Sequence, residues 1–359
     1  MSLVDVQIKD VRNIENIIFQ PSPKLNIIVG PNGSGKTSIL ESLYILSRAR
    51  SFRTQNITKV LSHNKDSLIV FAQLAYVNVS HKIAIKKNKH KTIIRINARS
   101  EKKSSELSRL FHAHLIRPES QTLLENGGVD RRAFIDTGVF HVKHSFLNIS
   151  KQYNHLLKQR NKLLKTKQLD TLTVWNNKLI EYGTIVSHER EKYLELLNKE
   201  LKGIACQFIG DAEVTLNYLK GWDKSLSFED ALNKAKDRDI LYGFTTAGAH
   251  KADIKVLVNG RLAQDYLSRG QMKLLVIAMY LAQIKLMRDR VSKSVCVLLD
   301  DLGAELDREN VRKVMFFLQK LNIQTFVTTT NIDLFLEFIG AKETKVFHVK
   351  RGVMQIEDS

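Results

Sequence analysis

The spacing of hydrophobic positions changes character along the chain. Leu25–Val29 is an apolar run interrupted only by Asn26 and ending in a glycine-rich turn, and Val295–Leu299 is a second run, wholly apolar, ending on Asp300 and Asp301. Runs this short and continuous predict strands buried on both faces of a parallel sheet. Ile83 and Ile85 alternate with Lys82 and Ala84, "KKNKHK" interrupts, and Ile94 and Ile96 resume the alternation, which predicts a hairpin with a basic tip. From about His141 to Leu201 the period lengthens. Phe146, Ile149, Tyr153, Leu156, Arg160 and Leu163 recur mostly three and four apart, then Trp175, Leu179, Tyr182, Val186, Tyr193 and Leu197, with a break near "KQLDTLT". This predicts a helical hairpin whose first member is amphipathic, with lysines on its solvent side. Beyond about Tyr242 strand-like runs return. The expected fold class is therefore α/β, a mixed sheet with flanking helices, divided in sequence by a helical insertion. Residues 1–120 and 241–359 form its two halves and 121–240 the insertion lobe; there is no internal repeat.

The length, 359 residues, suits about two domains. The longest apolar run, Leu274 to Ala282, is far below the roughly 20 residues a membrane span needs, and Asp5, Lys9 and Asp10 argue against a signal peptide. Cys206 and Cys296 alone make neither a disulfide framework nor a zinc site, so a reducing cytoplasm is expected. Charge changes the picture more. There are 56 basic and 37 acidic residues, a net +19, and such a field attracts polyanions. Lys82 to Lys103 contributes eight net charges and Lys143 to Lys167 seven. A solvated face explains one such run. Two of them point to a nucleic acid, with Lys82, Lys86, Lys87, Lys89 and Lys91 on the hairpin and Lys151, Lys158, Arg160 and Lys162 on the helix as candidate DNA contacts.

The densest chemistry follows the first buried run. Gly30, Pro31, Asn32, Gly33, Ser34, Gly35, Lys36, Thr37 and Ser38 include G-x-x-x-x-G-K-[ST] between a strand and a helix. Glycines let the backbone wrap a phosphate closely, Lys36 neutralises the β and γ phosphates, and the Thr37 hydroxyl ligates Mg²⁺. ATP and Mg²⁺ are thus the expected cofactors. The magnesium shell needs an acidic partner, which Asp300 supplies, while Asp301 can orient or deprotonate the attacking water. Catalysis would rest on Asp301 and Lys36. A second helix start, "LSRGQ" at Leu267 to Gln271, offers unpaired amides and a positive dipole end to an anion through Ser268 and Gly270. One P-loop already occupies its own phosphates, so this tip fits the nucleotide of another subunit. A plain N-cap by Ser268 is the alternative.

"GPNGSGKT", "LSRGQ", "VCVLLDD" and "AELD" together resemble the Walker A, signature, Walker B and D-loop motifs of the ABC-type ATPases, and within them the SMC-like heads that serve bacterial recombination and repair. The likeness runs over essentially the whole chain, including "RSFRT", "RRAFID" and "GAHKADI". It implies an ABC-type P-loop ATPase head carrying a compact helical lobe in place of a long coiled coil. It also implies an ATP-dependent homodimer in which Lys36 and Thr37 face Ser268, Gly270 and Gln271 of the other protomer, with Asp307 at the same interface and Arg12 as a phosphate-contacting arginine. The implied role is DNA replication, repair and the SOS response. ATP-driven dimerisation clamps double-stranded DNA beside single-strand gaps, weak DNA-stimulated hydrolysis releases it, and RecR with RecO assists RecA loading. Departures include Asp301 where transporter ATPases carry Glu, and Thr329, Thr330 and Asn331 where they place a switch His, so hydrolysis should be slow. "GAHKADI" has Ala249 and Lys251 in place of Pro and Arg, leaving His250 as a loop residue without an assigned role. "RPESQ", Arg117 to Gln121, is the candidate Q-loop stretch, with no residue of it assigned a metal contact. A transporter subunit should carry the switch His and needs no basic patches; a P-loop kinase leaves the signature helix without purpose.

Overall fold

The computed structural model describes residues 2–76, 79–117, 122–290 and 295–356. The chain divides into two compact units, Met1–Glu119 with Ser292–Ser359, and Ser120–Val291.

The first unit holds two six-stranded sheets. In one, Ile14–Phe19, Ser2–Val11, Ser67–Tyr76, Val79–Asn88, Thr92–Ile96 and Arg99–Glu101 lie side by side, all antiparallel. The other is ordered Val353–Ile356, Thr344–Lys350, Leu25–Val29, Gln324–Thr329, Val295–Leu299 and His112–Ile116, parallel except for its first pair. Both runs read as buried strands are central here, every residue of each being buried. Helix Lys36–Arg48 touches strands of both sheets, which is why its buried residues surround it: Ile39, Leu40, Leu43, Ile45 and Leu46 are wholly enclosed. Truncating one of them, such as Leu43→Ala, costs about 2–5 kcal/mol in a core this closed.

In the second unit helix Leu172–Ile209, 38 residues and so roughly 57 Å long, packs against helices Phe146–Thr166, Gly128–Val142 and Arg269–Arg290. A small antiparallel sheet, Arg261–Leu262, Asp253–Val258 and Val214–Leu219, completes it. The unit extends well past residue 240, where the lobe was expected to end. Two contacts explain the difference. Asp253–Val258 takes its partner from Val214–Leu219, and Gln283 of the signature helix donates to Phe134 O and Tyr193 Oη inside the helical core. No helix among the described residues is long and apolar enough to cross a membrane. Cys206 is exposed, Cys296 buried, and both are free thiols.

Candidate functional site

Strand Leu25–Val29 delivers the chain to Gly30, where a Cβ would lie 2.3 Å from Val349 O, so only glycine fits beside the neighbouring strand. The turn ends at Gly35, whose φ of +116° sets the start of helix Lys36–Arg48 without any side-chain cap. Its first amides are therefore left to a ligand. Lys36 Nζ donates to Gly30 O at 2.6 Å and Pro31 O at 3.0 Å, folding the ammonium over the turn. Burial lowers its pKa from the ordinary lysine value, against the pull of Asp301 and Asp300. Asn13 braces the cradle by donating to Gly33 O at 3.2 Å and accepting from Ser38 Oγ, and Gly352 N donates to Ser34 O at 2.7 Å. Asn32 and Gly33 face solvent at the lip of the turn.

The acid pair Asp300 and Asp301 stands where strand Val295–Leu299 ends. Thr37 Oγ1 donates to Asp300 Oδ1 at 3.0 Å, which joins two hard oxygen donors from opposite ends of the sequence. Thr328, wholly buried on the adjacent strand, donates from Oγ1 to the same Asp300 oxygen at 2.9 Å and accepts the Asp301 amide at 2.9 Å. Asp301 itself has φ +48°, so the single Thr328 hydroxyl fixes both acids, one by its carboxylate and one by its backbone. Residues of this kind fit a triphosphate with a divalent cation: the cradle is glycine-lined and uncapped, and Ser34 Oγ is buried within it with no partner among the described contacts. At the end of strand Gln324–Thr329, where transporter ATPases place histidine, Thr329 Oγ1 bonds Asn331 N and O.

Other expected contacts are placed differently. Arg12 is engaged as a fork with the buried Glu41 carboxylate, Nε at 2.9 Å and Nη2 at 3.0 Å, while Nη1 reaches Lys59 O. That pairing ties strand Ser2–Val11 to the P-loop helix and leaves the guanidinium directed at Glu41, not at the turn. Asp307 caps helix Arg308–Lys320, accepting Asn310 N at 2.8 Å, and this bond holds its carboxyl below the usual value. Of the segment 117–121, residues 118–121 lie outside the described residues.

The signature helix begins at Arg269 with a reciprocal capping box: Ser268 Oγ accepts Gln271 N at 3.3 Å, and Ser268 N donates to Gln271 Oε1 at 3.0 Å. Ser268 thus caps the helix in this structure, with Gly270 exposed beside it.

The two basic segments form as predicted, strands Val79–Asn88 and Thr92–Ile96 joined by a short turn, and helix Phe146–Thr166. Lys82, Lys86, Lys89, Lys91, Lys151, Lys158 and Lys162 are exposed. Lys87 is half-buried and donates to Ala49 O at 2.6 Å. Arg160, expected at the DNA, is turned inward instead. It is completely enclosed, donating from Nη1 to Asp239 Oδ2 at 2.7 Å and Thr245 Oγ1 at 2.7 Å, and from Nε to Asn176 Oδ1 at 2.8 Å. It cannot touch DNA, and removing one partner of such a pair costs about 3–5 kcal/mol. His250 is partly buried: Nδ1 meets Tyr153 Oη at 2.9 Å and Nε2 meets Thr245 O at 3.0 Å, and burial holds its pKa down at about 4. Its place is structural, closing a loop that Arg190 also grips through Ala249 O while paired with Asp136.

The RecF/RecN/SMC N terminal domain family matches residues 2–355. The DNA replication and repair protein RecF of Shewanella woodyi is 37% identical over 360 residues, covering 100% of this chain and 99% of that one, and RecF of Shewanella halifaxensis matches to the same extent. The recombination mediator protein RecF of the RecFOR pathway, solved with ATP, superposes with a TM-score of 0.88 at 24% identity over 99% of each chain. An Smc head bound to the C-winged helix domain of ScpA aligns at 0.59 with 14% identity, over 99% of this chain and 98% of that one. The fold is the ABC-type ATPase head, and the chain belongs to the RecF family within the wider RecF/RecN/SMC group.

Proposed function

We propose that the chain is an ATP-driven DNA clamp of recombinational repair. The carrying observation is the Thr37–Asp300 hydrogen bond, which joins the P-loop to the acid pair held by Thr328. Lys36 lies against the turn and is free to swing to incoming β and γ phosphates. Mg²⁺, when bound, neutralises the phosphate oxygens, and Thr37 and Asp300 are the residues suited to hold it. Asp301 accepts the proton as water attacks the γ phosphorus and the bond to the ADP oxygen breaks. With an aspartate in this role and no histidine at Thr329, turnover is slow. Ser268, Gly270 and Gln271 close over the triphosphate of a second protomer, Gln271 N exchanging its bond to Ser268 Oγ for a phosphate oxygen, and Asp307 lies across the same interface.

Nucleotide state then controls the grip on DNA. Lys82, Lys86, Lys89 and Lys91 of the hairpin and Lys151, Lys158 and Lys162 of the helix meet phosphates of duplex DNA next to a gap. RecR with RecO are the partners that the RecFOR pathway of the solved relative suggests; RecA loading, DNA stimulation, replication restart and the SOS response belong to the same proposal. Anisotropy on gapped, duplex and single-stranded DNA, with and without ATP, tests it. Affinity for duplex and gapped DNA should rise with ATP and fall about 10³- to 10⁵-fold from 50 to 200 mM salt if six to ten phosphates are engaged. Lys86→Glu with Lys89→Glu and Lys91→Glu should flatten that slope. ATP-independent, salt-insensitive binding would sink the clamp.

A further inference from the structure

The segment that Arg160 holds from beneath carries an unusual surface. Leu241 is 79% exposed, Tyr242 56% and Phe244 44%. The Tyr242 and Phe244 rings stack on each other, with centroids 5.8 Å apart and planes 21° from parallel. Lys251 Nζ stands 5.6 Å from the Phe244 centroid. Gly243, at φ +72°, makes the turn between the two aromatics, and Lys165 of the basic helix passes beside it, its Cα 3.6 Å from where a Gly243 Cβ would be.

This is not a loose loop that happens to expose rings. Below it Asp239 Oδ1 accepts Thr246 N at 2.8 Å, Asn161 Oδ1 accepts Thr245 N at 2.8 Å, Arg238 Nε donates to Thr246 Oγ1 at 3.0 Å, and the enclosed Arg160 joins Asp239 to Thr245. A buried ion pair with its own hydrogen-bond network fixes the backbone so that the rings point to solvent. Single exposed apolar residues are ordinary, but three within four positions, rigidly presented, mark a binding surface. Its chemistry narrows the ligand. Lys251 and Lys165, both exposed, stand beside the rings, which disfavours an apolar or basic protein partner and favours a polyanion that also offers flat apolar faces.

We propose that Tyr242 and Phe244 form a stacking platform for unpaired nucleotides, with Lys251 and Lys165 taking the adjoining phosphates. Bases within a duplex are stacked on one another and offer no face, so the platform selects single-stranded nucleic acid. This rests on the DNA-binding reading and assigns its single-stranded side to the turn at Gly243, which lies beside the end of the basic helix.

The test uses the full chain, with anisotropy on an oligothymidylate, an abasic strand of equal length and a duplex. Wild type should bind the base-bearing strand more tightly than the abasic one, by about 5- to 150-fold for each stacked base. Tyr242→Ala with Phe244→Ala should abolish that difference, leaving duplex affinity and the salt slope unchanged, and Tyr242→Trp with Phe244→Trp should restore it. Equal wild-type affinity for base-bearing and abasic strands overturns the platform without any variant. So does wild-type discrimination by the double alanine chain, which would leave the patch to a protein partner. If wild type binds none of the three, both the platform and the DNA reading fail; if it binds duplex but ignores bases, the platform fails alone.

Discussion

Helices Lys36–Arg48 and Arg269–Arg290 both rise from a polar, glycine-containing turn, yet their first amides are treated in opposite ways. The first starts on Gly35 with no side-chain cap, its turn folded around the Lys36 ammonium and braced by Asn13 and Gly352. The second satisfies itself, Ser268 and Gln271 exchanging hydrogen bonds across the first turn. A preformed anion cradle needs no partner to be complete. A self-capped tip is stable alone and can release its cap when a better acceptor arrives. The contrast supports the assignment of one turn to the chain's own nucleotide and the other to a second subunit's.

The sharpest way to break that contrast is at the cradle. Lys36→Arg keeps the charge but not the compact ammonium, so hydrolysis should fall by about 10²- to 10³-fold while some nucleotide binding persists; unchanged turnover removes the Walker A assignment. Next comes Thr328→Val, which strips the hydroxyl shared by Asp300 and Asp301. It leaves the Asp301 amide without its acceptor, a loss of about 1–3 kcal/mol of stability, and with both acids no longer held turnover should drop while nucleotide affinity is nearly retained. Wild-type kinetics would show that the acids hold themselves. The smallest effect belongs to the signature tip as a cap. Ser268→Ala should cost about 1 kcal/mol, a shift of roughly 2–4 °C in thermal melting for a unit of this size. A much larger destabilisation would make the tip a structural element first.

The cradle was legible because its chemistry is contiguous: glycines, lysine and threonine lie within one turn, flanked by strand and helix. Thr328 and Asn13 act on the same site from segments 291 and 24 residues away from Thr37 and were invisible, since only the sheet order brings strand Gln324–Thr329 beside Leu25–Val29 and Val295–Leu299. Arg160 shows the converse. Its charge suggested DNA, although its spacing from Tyr153 and Leu156 already placed it on the buried stripe; periodicity was the better guide than charge. The lobe's far boundary was obscured because the pairing of Val214–Leu219 with Asp253–Val258 spans a helical pair that contributes no strand.

The claim that the signature turn acts on another subunit's ATP is tested most directly by mixing two inactive chains and measuring ATP hydrolysis. Ser268→Arg places a large cation against the positive end of the helix dipole and in the space for the γ phosphate, leaving its own P-loop intact. Lys36→Met disables the P-loop and leaves the signature turn untouched. A two-fold dimer containing one of each keeps one complete site, the P-loop of the Ser268→Arg chain facing the signature helix of the Lys36→Met chain. The account predicts that each variant alone is inactive, that Ser268→Arg binds ATP as a monomer without dimerising in light scattering, and that the mixture recovers part of the wild-type rate. A mixture no more active than its components, or ATP-driven dimers of Ser268→Arg alone, would contradict it and leave Ser268 as a cap only.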